Sequence, residues 1–102
     1  METIPNNAGP VTIEITVSLP VLCDVVGEPQ PGSTLTWRYT AGDRLLALNA
    51  ARNWPAKQTT EPLDLETFTS RAAYDASEAL GVAVVAIGYY ILKDGTVLQC
   101  QF

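Results

Sequence analysis

A chain of 102 residues with 47% hydrophobic and 17% charged side chains has the size and composition of one folded domain, and needs neither a metal nor a disulfide to hold a core. Its net charge of −5 argues against indiscriminate nucleic-acid binding, and the lack of histidine removes ordinary zinc sites and histidine-based triads. No apolar run approaches the roughly 20 residues that span a bilayer, and METIPNNAGP has neither the basic nor the apolar part of a signal peptide, so a soluble cytoplasmic protein is expected.

Residues 1–10, rich in proline, asparagine and glycine, read as a flexible N-terminal arm ahead of a single domain over 11–102. VTIEITVSLPVLCDVV then keeps apolar residues at odd positions from Val11 to Val25, with Thr12, Glu14, Thr16 and Ser18 between them. Period two predicts a half-buried strand. Pro20 lacks the donor a ladder needs and predicts a bend or break there. GEPQPGS (27–33) is a turn by composition, and TLTWRYT alternates again with Leu35, Trp37 and Tyr39 apolar. Pairing the two runs across that turn sets Val25 against Leu35, Cys23 against Trp37 and Val21 against Tyr39.

The stretch GDRLLALNAARNWP supports a short helix over about 44–53, with Asp43 as N-cap and Pro55 beyond its end. A third strand ending near Leu48 is the alternative. AKQTTEP reads as a linker. DLETFTSRAAYDASEALG is the clearest helix, about 65–80, capped by Asp64 and stopped by Gly81. Leu65, Phe68, Ala72, Ala76, Ala79 and Leu80 form its inner stripe. The longest apolar run, Val82 to Leu92, is β-branched and aromatic, and Asp94-Gly95 marks a two-residue hairpin turn after it. In that register Ile91 faces Leu98, Tyr89 faces Cys100 and Ile87 faces Phe102, and these are assigned to the core. The predicted fold is α+β: an antiparallel sheet of four or five strands with the 65–80 helix packed on one face.

The reverse face of the last hairpin carries the functional signal. Val82, Val84, Ala86, Tyr90, Leu92 and Val97 leave it almost as apolar as the core face, relieved by Gly88, Gln99 and Gln101. A sheet with one wet side alternates cleanly, as residues 11–19 do. Such a face is covered either by another part of the chain or by another protein, a second copy being the simplest. The strand also runs to the last residue, leaving no tail to shield an edge. Val84, Tyr90, Leu92, Val97 and Gln99 are the predicted interface.

Chemistry has weaker support. Both cysteines fall on inward faces, where cysteine behaves as a small hydrophobe. Asp24 with Arg38 diagonally opposite is the best acid–base pair, and it reads more simply as an exposed ion pair. Arg71, Asp75 and Glu78 on the long helix suit a solvated salt-bridge row. The segment with ligand character is 44–57, where Arg44, Arg52 and Lys57 surround Trp54 and would suit a phosphate-bearing or nucleotide ligand. No catalytic residue, cofactor or metal is assigned. The expectation is a non-enzymatic interaction or assembly protein acting as a homo-oligomer, of bacterial or phage character from an alanine-rich composition that favours arginine over lysine, with the small-ligand reading second.

Overall fold

The computed structural model describes residues 1–21, 28–58 and 64–102. Among these, six antiparallel strands and two helices follow in the order β1 (Thr3–Pro5), β2 (Val11–Ser18), β3 (Thr34–Ala41), β4 (Arg44–Leu46), α1 (Leu48–Lys57), α2 (Leu65–Leu80), β5 (Val84–Ile91) and β6 (Val97–Gln101). Strands β2, β3, β5 and β6 form one sheet in the order β2-β3-β5-β6, and β1 pairs with β4 in a second. The chain is α+β with one main helix on the larger sheet, as the periodicities predict.

Helix α2 spans the predicted residues for the predicted reasons. The Asp64 carboxylate accepts the Thr67 N–H at 2.7 Å, and Gly81 ends the helix at φ 70°, a left-handed conformation that costs glycine little. Its inner stripe of Phe68, Thr69, Ala72, Ala76 and Leu80 lies over β5 and β3. Ala72 and Ala76 are fully buried and bring the helix backbone close to the sheet, so that Trp37 Nε1 donates to the Ala72 carbonyl at 2.9 Å. Trp37, Trp54, Phe68 and Tyr90 form a continuous aromatic line joining the sheet to both helices, with successive ring centroids 5.8, 5.1 and 6.3 Å apart. Edge-to-face and tilted contacts at these separations add to the burial itself.

The first half of the chain differs from expectation in its partners. Strand β3 pairs with residues 11–18 rather than 21–25: Val17 lies opposite Leu35, Ile15 opposite Trp37 and Ile13 opposite Tyr39. The shift is even, so the predicted inward residues of β3 stay inward. Cys23, Val25 and Asp24, used in the predicted register, lie outside the described residues, and Val21 is exposed. The N-terminal segment read as a loose arm carries β1, with Ile4 opposite Leu45. That pairing takes Arg44–Leu46 for β4, which is why the predicted helix begins at Leu48 rather than after Asp43. Position 47 caps it without a side-chain hydrogen bond, and Pro55 sits inside α1 instead of beyond it. A free strand partner outweighs the helix propensity of Leu45 and Leu46.

The final hairpin is where the prediction of faces fails. Ile91 pairs with Val97, Tyr90 with Leu98 and Tyr89 with Gln99, one residue out of the expected register. The Leu92 N–H donates to the Thr96 carbonyl, the Gly95 N–H returns to the Leu92 carbonyl, and Gly95 has φ 88°. This is a three-residue loop ending in a left-handed glycine, not a two-residue turn. A slip of one residue turns every β5 side chain to the opposite face. Tyr90 and Ala86 are therefore fully buried under α2, and Ile87, Tyr89 and Ile91 face the other way.

Candidate docking surface

The corrected register sorts the sheet into two faces. The inner one, under both helices, carries Leu35, Trp37, Tyr39, Ala86 and Tyr90. The outer one has no helix or strand over it among the described residues. Its composition changes across the sheet. On β2 and β3 it presents Thr12, Glu14, Thr16, Thr36, Arg38 and Thr40, with Arg38 Nε donating to Glu14 at 3.2 Å and the Thr16 and Thr36 hydroxyls 2.8 Å apart. On β5 and β6 it presents Val85, Ile87, Tyr89, Ile91 and Val97. Tyr89 is 38% exposed and Val97 47%, while Val85, Ile87 and Ile91 are half-buried by their neighbours. The result is an apolar strip beside a polar field on one open face.

The strip is tied by hydrogen bonds at one end. Ser33 Oγ accepts the Ile91 N–H at 2.8 Å and donates to the Gln30 carbonyl at 2.7 Å. The Gln30 N–H donates to the Ile91 carbonyl, and the Glu28 carboxylate accepts the Lys93 N–H at 2.9 Å. The 28–33 turn thus clamps the ends of β5 and its hairpin without covering Tyr89 or Val97.

No protein-family model and no curated protein matches this chain. The site stands on its own geometry.

The predicted interface residues divide between the two faces. Val97 and Gln99 are on the open one; Tyr90 is fully buried, and Val84 and Leu92 share its inner face. Ile87 and Tyr89, assigned to the core, belong to the open face, while Leu98 and Cys100 do face inward as expected. Gly88 stands two residues from Tyr90 on the same face, and a β-carbon there would meet the Tyr90 ring. A glycine inside a strand marks such a close approach.

The 44–57 residues do not converge. Arg44 is tied to β1 through the Thr3 hydroxyl and carbonyl at 3.0 and 2.9 Å. Trp54 is 3% exposed, packed between Trp37 and Phe68, with its Nε1 donating to Asp75 at 2.9 Å. Its ring faces are occupied by the core. Lys57 shares a shallow cleft with the Trp54 edge, Glu2 and Asp75, whereas Arg52 lines a different groove beside β2. Of the acid–base pair, Asp24 lies outside the described residues, while Arg38 meets Glu14 and both are about half exposed.

Thr69 is the residue that sequence reasoning left out. It is fully buried, donates to the Leu65 carbonyl at 2.7 Å, and its hydroxyl bonds the Tyr90 phenol and lies 3.2 Å from Cys100 Sγ. The four-residue step from Leu65 and three-residue step to Ala72 already put it on the helix's inner stripe. Burial of the Tyr90 phenol pushes its pKa well above the usual tyrosine range, with the Thr69 hydrogen bond pulling the other way. Thr69 and Tyr90 are fully buried and Cys100 partly so, and the cluster holds α2 onto β5 and β6. Its groups are mutually satisfied.

Proposed function

We propose that this chain is a cytoplasmic, non-enzymatic assembly protein that acts as a homo-oligomer, docking through the open face of its four-stranded sheet. The observation that carries this reading is the apolar strip of Val85, Ile87, Tyr89, Ile91 and Val97 on a face that no described element covers. Removing apolar side chains from water contributes about 25 cal/mol per Å², and a flat sheet face offers that area without rearrangement. The exposed polar residues Thr40, Arg38 and Glu14 beside the strip would form the rim of such a contact, where polar residues sit in protein interfaces.

The test is the solution mass of Val97→Lys and Tyr89→Lys by light scattering behind a sizing column. Each is expected to keep its fold, by circular dichroism, and to give a smaller species than the unchanged protein. Tyr90→Lys is the contrasting variant, since it places a charge in the core and is expected to unfold. Equal mass for Val97→Lys, Tyr89→Lys and the unchanged protein would refute the open face as the contact.

A further inference from the structure

Among the described residues, the outer edge of β2 is a second feature with no strand paired to it. In the β2–β3 ladder the hydrogen-bonded pairs fall at odd positions, continuing to the Leu19 N–H, which donates to the Ser33 carbonyl at 3.1 Å. The N–H and C=O groups of Thr12, Glu14, Thr16 and Ser18 therefore point away from β3, along the free edge. Natural sheets protect such edges with prolines, lysines, bulges or short strands. This strand has eight residues, no proline, lysine or glycine within it, and a lone charge, Glu14, already paired with Arg38. An open groove of about 520 Å³ runs along Glu14 to Ser18, walled by Leu48, which is 53% exposed, and Arg52 from α1.

What fits this edge is indicated by the strand itself. From Val11 to Leu19 apolar residues at odd positions alternate with Thr12, Glu14, Thr16 and Ser18. An antiparallel second copy paired about one residue of the strand therefore sets apolar side chains against apolar ones on the helix side and polar against polar on the outer side. A two-fold axis at Glu14 would oppose two carboxylates, which is unfavourable. An axis at Ile15 sets Glu14 against Thr16, Ile13 against Val17 and Thr12 against Ser18, and uses nearly the whole strand. The half-buried Ile13 and Ile15 are then covered by the partner strand, which also meets Leu48.

We infer that β2 pairs antiparallel with β2 of a second copy about Ile15, joining two four-stranded sheets into one of eight strands. This extends the homo-oligomer reading to a second contact and does not depend on the open face. In such a dimer both apolar strips lie on the same side and remain open, so two dimers can meet face to face.

The experiment compares solution masses over a concentration series for the unchanged chain, Thr16→Pro, Thr16→Val and Val97→Lys. Proline at 16 removes an outward N–H and leaves the β2–β3 ladder intact, while valine removes only the hydroxyl contact to Thr36. Thr16→Pro is expected to weaken one association step by roughly 30-fold or more, since two inter-copy hydrogen bonds are lost, and Thr16→Val to leave it unchanged. Thr16→Pro with unchanged mass overturns the edge contact; if Val97→Lys still lowers the mass, the open-face reading survives. The converse pattern refutes the open face and keeps the edge. Should Thr16→Pro fail to fold, Ile15→Cys decides. Facing residues in a non-hydrogen-bonded pair have Cα atoms about 4.5 Å apart, within disulfide reach. Under mild oxidation Ile15→Cys is expected to give a covalent dimer that Thr12→Cys does not. No linked dimer from Ile15→Cys overturns the inference.

Discussion

Tyr90 concentrates the chemistry of the core in one side chain. It is fully buried, covers Gly88 on its own strand, stacks edge-on to Phe68 and bonds Thr69. Tyr90→Phe removes the hydroxyl and leaves Thr69 with the Leu65 carbonyl and Cys100, so it should cost about 1 kcal/mol in denaturant titration at neutral pH. Gly88→Ala forces a methyl into the Tyr90 ring, which has no room to turn, and should cost about 1–3 kcal/mol. The pH dependence follows from burial. A phenol whose folded pKa is raised contributes stability that is complete below its unfolded value of about 10 and is lost as pH rises beyond it. The melting temperature should therefore fall above about pH 10, and fall less steeply in Tyr90→Phe; identical slopes would contradict the assignment. At the acid end the sign reverses. The Thr67 amide and hydroxyl hold the Asp64 carboxyl below its usual range, so its contribution is present at neutral pH and fades as the carboxyl is protonated. Asp64→Ala should lower the melting temperature at pH 7 by more than it does in acid.

Among the elements, helix α2 and strand β3 were legible because several local signals agreed for each. Asp64, the apolar stripe and Gly81 define the helix, while strict alternation defines the strand. The final hairpin shows where such reasoning stops. Both possible registers oppose apolar residues, and the choice rests on whether the loop between Leu92 and Thr96 has three residues or Asp94-Gly95 turns alone. Hydrophobicity does not separate these, because both faces of β5 are apolar: one packs on α2, the other forms the open strip. What separates them is the loop itself, where the Leu92 N–H bonds the Thr96 carbonyl and Gly95 takes φ 88°. For the candidate site this slip exchanged Tyr90 for Tyr89 while Val97 and Gln99 kept their face. Strand β4 was hidden for another reason, since its partner β1 lies some 40 residues earlier in a segment of turn-like composition. The loop reading has its own check. Gly95→Ala, at φ 88°, should cost about 1–2 kcal/mol through backbone strain alone, because nothing lies near the added methyl. A neutral result would mean the loop does not need a left-handed residue.

At the scale of the whole molecule, the helices occupy one side of the sheet, and among the described residues no helix or strand covers the apolar strip of β5 and β6 or pairs with the outer edge of β2. Strip and edge lie at opposite ends of the strand order, so a copy bound at one does not block the other. Two-fold contacts at both close into a tetramer of two edge-joined dimers packed by their open faces. Burying the strip raises the apolar area removed from water, so assembly should strengthen on warming from low temperature and give a negative heat-capacity change. The most direct test is sedimentation equilibrium of the unchanged chain across a concentration range of about a hundredfold. A mass that rises from dimer towards tetramer is the predicted result. A single monomeric mass throughout would contradict self-assembly through either surface.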